Sequence, residues 1–401
     1  MIRKLLSRPM AGLMVGLLTA PLVQAAPQAE IQELKQTVQL LLQRIEQLEN
    51  QQQELVVAQE TIVEQVENSA ASQLAQWAEK TTIGGYGEVH WNNTELKDEI
   101  DLHRFVLFFG HQFTDDLRFF SELEVEHSLA GEGKNGEVEV EQAYIEYDLN
   151  DQHRVKGGVF LLPVGILNET HEPDTFYGVE RNNVEKNIIP TTWWEAGAMV
   201  SGELGGGLGY DVAVHSGLEA SKKGAFTFKP RDGRRKVSEA PADDPAFTAR
   251  LRYTGVPGLE LAATVQHQAD MTQSDSTTDE AEGLLLETHM VYQRGPIGFK
   301  ALYAQWDIDG DEAKALGRDE QDGWFVEPSY RINPRWGVFA RHSRWDNEAG
   351  AGGNSEFKQT DVGVNYWPHE NVVLKFDLMD LDAPAGKPDD DGFNVGIGYQ
   401  F

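Results

Sequence analysis

The sequence contains no cysteine. That excludes a disulfide framework and any thiolate nucleophile or metal ligand. Long apolar runs are missing beyond the N-terminus, where no segment approaches eighteen consecutive apolar residues, so a later helical membrane span is excluded. Positive charge is scarce: 34 Lys and Arg stand against 65 Asp and Glu, a formal net charge of −31. Such acidity argues against general nucleic-acid binding, which depends on cations that displace phosphate counterions. The nucleophile motif Gly-x-Ser-x-Gly is absent, and no Ser/His pair held by a third group stands out. Asp307-Ile-Asp-Gly-Asp311 starts like a calcium loop but has Glu312 at its sixth position and Arg318 at its twelfth, so it reads as a solvated acidic loop. The eleven histidines show no metal-ligand spacing, and nothing calls for a metal, a cofactor or a catalytic role.

What is present begins with an export leader. Arg3, Lys4 and Arg8 precede the apolar stretch Met10 to Val23, and small residues offer cleavage near Ala26. Residues 1–26 are therefore expected to be a signal peptide. Residues 27–78 form the second region, and 28–75 hold neither glycine nor proline. Ile31, Val38, Ile45, Gln52, Gln59 and Val66 occupy one heptad position, and Leu34, Leu41, Leu48, Leu55 and Ile62 the other. That spacing predicts a coiled coil whose oligomer order the two glutamines leave open.

From Thr81 to Phe401 the period changes to two. The final residues are the plainest case: Phe393, Val395, Ile397, Tyr399 and Phe401 alternate with Asn394, Gly396, Gly398 and Gln400. Seven tight turns, such as Gly205-Gly-Gly and Asn333-Pro-Arg, alternate with eight longer connections near 94–99, 129–136, 162–193, 218–245, 269–282, 309–321, 347–356 and 382–390. Fifteen connections imply sixteen antiparallel strands, up and down, in a transmembrane barrel. Sets such as Phe247, Leu251 and Tyr253 share a face opposite Arg250 and Arg252, which predicts apolar side chains outward and a wet interior. Trp91, Tyr147, Trp193, Trp336, Trp367 and Tyr399 near strand ends suggest interfacial girdles.

Two loops invite attention. Residues 163–193 mix apolar, aromatic and charged side chains, so the segment is suited either to fold into the lumen or to cap the outer rim. Folding inward brings Glu169, His171, Glu172, Arg181 and Lys186 to the path and makes this a constriction loop. The other loop carries Lys222, Lys223, Lys229, Arg231, Arg234, Arg235 and Lys236. This basic cluster either funnels anions to the mouth or pairs with lipopolysaccharide phosphates.

Asn168-Glu, His171-Glu-Pro, Glu180-Arg-Asn and Ile189-Pro-Thr-Thr-Trp-Trp-Glu-Ala-Gly197 resemble the phosphate-selective porin O and P family, as do the heptad segment and Gly84-Gly-Tyr-Gly. The resemblance covers essentially the whole chain after the leader. It implies a homotrimeric sixteen-stranded porin in the Gram-negative outer membrane, among lipids and lipopolysaccharide, passing small anions such as phosphate along inward basic residues. Basic candidates are Arg104, Arg118, Arg250, Arg252, Lys300, Arg331, Arg341 and Lys375. Glu122, Glu124, Glu126, Glu260, Glu287, Glu327 and Asp377 interleave with them, a mixture that also suits polar or zwitterionic solutes. Tyr399 and Phe401 look like the assembly signal read by the barrel-insertion machinery. A structural tether acting through the heptads, with incidental conductance, is the alternative.

Overall fold

A computed structural model of the protein describes residues 28–129, 131–274 and 280–401. The expected leader, residues 1–26, lies outside the described residues. The chain divides after Gln76 into two compact units. Helix α1 (Gln28–Glu79) runs unbroken for 52 residues. Its heptad seam is bare in the single chain, from 47% exposed at Val38 to 69% at Leu34 and Leu55. A coiled-coil partner is therefore outside what one chain displays.

The second unit is a closed barrel. Its first half comprises β1 (Thr81–Thr94), β2 (Asp98–Gln112), β3 (Leu117–Glu126), β4 (Val138–Asn150), β5 (His153–Leu161), β6 (Trp194–Gly205), β7 (Leu208–His215) and β8 (Ala246–Val256). The second half comprises β9 (Leu259–Gln268), β10 (Glu282–Arg294), β11 (Ile297–Asp309), β12 (Glu320–Asn333), β13 (Trp336–Asp346), β14 (Phe357–His369), β15 (Val372–Asp382) and β16 (Asp390–Gln400). Every strand is antiparallel to its neighbours, and β16 pairs with β1 from Tyr86↔Gln400 to Thr94↔Gly392. Closure leaves no unpaired edge, the condition for a sheet in lipid. All seven tight turns lie at one rim; Gly205, Gly206 and Gly207 take φ of +90°, +64° and +84°, which the 205–207 turn requires and which side chains disfavour.

Three expectations need correction. The first outer connection is only the hairpin loop 95–97, because the Thr94 N–H bonds the Lys97 carbonyl at 2.7 Å and extends the ladder. Two of the six rings expected in girdles are not on the lipid face: Trp193 is fully buried in a loop, and Trp367 faces inward beneath Arg331 at 3.4 Å. Nor is the whole interior wet. Leu302, Trp306, Ile308, Phe325 and Trp345 point inward and are buried in an apolar cluster, because a loop covers that wall. The outward sets behave as read, with Phe247, Leu251, Leu374 and Leu378 each at least 40% exposed.

Candidate functional site

The loop that covers the wall is L3, residues 162–193, between β5 and β6. Its apolar side chains, among them Leu162, Val164, Phe176, Val184, Ile188 and Trp193, join the cluster around Trp306. Each such burial contributes about 1.5–3 kcal/mol, which orders a segment without strand pairing. Inside L3 a short helix α2 (Asn183–Asn187) is capped by Asn182, whose side chain accepts from Glu185 N–H at 2.9 Å. Glu185 accepts from the N–H groups of Ile166 and Leu167 at 2.6 Å each, and so ties both ends of the loop together. Burial pushes its carboxyl above the usual range, against the pull of those donors. The sequence signal for this element was Asn182-x-x-Glu185, a helix-start pattern inside what read as loop.

L3 crosses the lumen. From β5 it reaches the opposite wall, where Lys375 donates to the Gly178 carbonyl at 2.8 Å and Asp377 accepts from Val179 N–H at 2.6 Å. Glu180 meets His90 and Asn92 of β1, both at 3.0 Å. Beside β1, Arg104 of β2 donates to the His171 carbonyl at 2.9 Å. Of the open alternatives for this loop, the geometry is the inward one.

The strand-borne basic candidates are occupied. Arg104 is buried against Glu88 at 2.6 Å, with Glu124 at 3.9 Å. Arg118 holds Glu146 and Asp148 near the turn rim. Arg250 binds Asp211 at 2.7 Å and Glu169 of L3, while Arg252 lies between Glu203 at 3.4 Å and Glu260 at 3.9 Å. Arg341 pairs with Asp361 at 2.9 Å and Glu327 at 3.6 Å. Arg331 stacks on Trp367, and Lys300 donates to the Thr175 carbonyl at 3.4 Å. Glu122 accepts from Gln142 at 2.7 Å, and Glu172 lines a cavity beside it.

The loop-borne basic residues divide. Lys223 is exposed, Lys222 and Lys229 are half-buried, and Arg235 pairs with Glu219 at 3.1 Å. Arg231, Arg234 and Lys236 instead turn inward and join Arg181 and Lys186 around a cavity of about 240 Å³ below the loop rim. Lys236 binds Glu137 at 2.5 Å and also Glu139. Arg231 donates to the carbonyls of Lys186 at 2.9 Å and Thr191 at 3.0 Å. Arg234 donates to Pro190 O at 3.1 Å and to Thr192 O, and Arg181 to the Thr192 hydroxyl at 2.8 Å. Among the described residues, none of these three guanidiniums makes an ion pair. Burial, then the neighbouring Arg234 and Arg181, pull Arg231 down to about 10, so it stays charged at neutral pH. The same cavity is lined by the carboxylates of Glu88, Glu124, Glu126, Glu139, Glu141 and Glu180. His90, His103 and His127 complete it; no sequence signal marked them, because their positions follow from strand register. A second cavity of about 730 Å³ near the turn rim holds Arg250, Arg252, Asp211 and Lys300.

A closed sixteen-stranded barrel with apolar outer faces, an inward loop and charged cavities above and below it is an outer-membrane porin, a channel. A model of the phosphate-selective porin O and P family matches residues 84–401, and the chain belongs to that family. An uncharacterized protein of Aquifex aeolicus (strain VF5) is 30% identical, over 83% of this chain and 82% of its own. Among solved structures, the anion-selective porin of Comamonas acidovorans aligns at TM-score 0.58 with 12% identity, covering 80% of this chain and 99% of that one. The channel DcaP of Acinetobacter baumannii aligns at 0.56 with 13% identity, covering 80% and 97%. At these identities the structures share the fold alone.

Proposed function

We propose that the channel passes small hydrophilic solutes by passive diffusion and prefers small anions, phosphate among them. The reading rests on Arg181, Arg231 and Arg234, three unpaired guanidiniums at one cavity. Their planar forks suit phosphate oxygens. A charge about 5 Å from a permeating ion in water contributes roughly 0.8 kcal/mol, about fourfold in local occupancy. Six basic and six acidic residues line the cavity, with Arg104 paired to Glu88 and Lys236 to Glu139, so the preference is weak, and the mixed lining suits zwitterions as well.

The protein is further proposed to act as a homotrimer, the form in which a structure of Vibrio cholerae OmpT is described. Residues 1–26 would direct export, α1 would form a periplasmic coiled coil with its copies, and Phe401 would serve assembly. The test is reversal potential across a planar bilayer in a potassium chloride gradient. Wild type should favour chloride, and Arg231→Gln with Arg234→Gln should lower that preference at least fourfold. Equal reversal potentials in the two proteins would remove the anion reading. Deleting 28–75 should leave conductance intact; a lost envelope phenotype with normal trimers would instead favour the tether.

A further inference from the structure

One irregularity in the barrel wall lies level with L3. At the β3–β4 ladder the register passes from Glu122↔Gln142 to Leu123↔Val140, which leaves Glu141 as an extra residue in β4. Such a bulge re-aims a side chain, and Glu141 is turned into the lumen beside Glu122. L3 brings His171 against both. All three side chains are buried, with Glu141 and Glu122 1% exposed and His171 3%.

His171 Nε2 lies 3.5 Å from Glu141 Oε2 and 3.6 Å from Glu122 Oε1, beyond hydrogen-bond length. Both Glu141 Oε2 and His171 Nε2 lack any hydrogen-bond partner. The other ring nitrogen, Nδ1, sits 3.2 Å from the Asn168 carbonyl, which can only accept. The proton of a neutral ring therefore belongs on Nδ1, and the Nε2 lone pair faces two carboxylates. A carbonyl behind the distal nitrogen is the usual support of a metal-ligating histidine. The charge points the same way. Arg104 is taken by Glu88, so Glu122 and Glu141 have no ion-pair partner among the described residues except His171. One proton offsets one carboxylate; a divalent cation beside a neutral imidazole offsets both.

We propose that Glu122, Glu141 and His171 form a divalent-cation site that ties L3 to the β3–β4 wall, with zinc as the fitting ion. Two ligands about 2.1 Å from a tetrahedral zinc stand roughly 3.4 Å apart, close to the separations found. A cavity of about 400 Å³ reaches Glu122 and His171 and leaves room for a water as fourth ligand.

The test uses untagged full-length protein in detergent, stripped by chelator and titrated with zinc chloride in a calorimeter. Wild type should bind one equivalent that Glu141→Gln and His171→Ala lose, with affinity reduced at least a hundredfold. His103→Ala, which alters the separate Asp101, His103 and His127 group, should keep it. Cobalt in place of zinc should give visible absorption bands in wild type that vanish in Glu141→Gln. Each variant is checked for channel insertion; should His171→Ala fail to insert, the near-isosteric Glu141→Gln decides. No zinc bound by wild type, or an unchanged isotherm in Glu141→Gln, overturns the site and leaves a proton on His171 as the only cation.

Discussion

Arg250 and Arg231 both line the lumen, yet they do different work. Arg250 projects from β8 and is clamped by Asp211 and Glu169. Arg231 projects from the loop after β7 and has only carbonyl oxygens as acceptors. Arg104, Arg118, Arg252 and Arg341 on strands likewise face carboxylates, while Arg181 and Arg234 on loops do not; Arg331, stacked on Trp367, and Arg235, paired with Glu219, depart from this division. Neighbouring strands bring opposite charges into register, and a paired charge presents little field to a passing ion. A loop places its charge wherever its backbone packs, here against carbonyl and hydroxyl oxygens that accept from the guanidiniums without cancelling the charge. The paired strand arginines thus hold the pore's shape, and the unpaired loop arginines set its field.

The largest effect that would break this comparison is on stability. Arg104→Met leaves Glu88 buried without its guanidinium, and losing one member of a buried pair costs about 3–5 kcal/mol. It also deprives the His171 carbonyl of its donor, so L3 should loosen. Denaturant unfolding in detergent should show the loss, and single-channel current should rise and become noisier; an unchanged midpoint and current would mean that Arg104 is no clamp. Next comes selectivity. Arg231→Glu reverses one unpaired loop charge and should swing the chloride preference by roughly fifteenfold, two increments of about 0.8 kcal/mol, in a salt gradient. Removing a strand pair as a unit, Arg250→Gln with Asp211→Asn, changes no net charge and should shift the same potential by less than half as much. A pair deletion that matches Arg231→Glu would erase the division between strand and loop. The smallest effect is of salt on wild type. Screening shortens from about 10 Å at 0.1 M to about 3 Å at 1 M, so the preference should fade but not vanish. A salt-independent preference would point to steric selection instead.

The barrel was legible because it depends on a local rule. Alternation along Phe247–Tyr253, or from Phe393 to Phe401, needs no knowledge of distant partners, and turn residues count the strands. The helix over 28–79 was legible for the same reason, through its heptads. What escaped was contingent on packing. Trp193 and Trp367 stand at or beside strand ends like girdle residues, but the inward fold of L3 carries Trp193 into the core and Trp367 stacks with Arg331 inside the barrel. The basic run 222–236 was visible as a cluster, yet the turning of Arg231, Arg234 and Lys236 into the cavity, away from the rest, was not.

Local chemistry along the chain was thus enough for the closed sixteen-stranded wall and for which strand face meets lipid. It also supplied the candidates Arg104, Arg250 and Arg231, but without a means to rank them. Rank came only from tertiary structure, because the field at a point depends on what lies within a few ångströms of it. Residues 88 and 104, 211 and 250, or 122, 141 and 171 become neighbours through register, a bulge and a folded loop. A periodicity of two carries none of that information, and the pore is made of it.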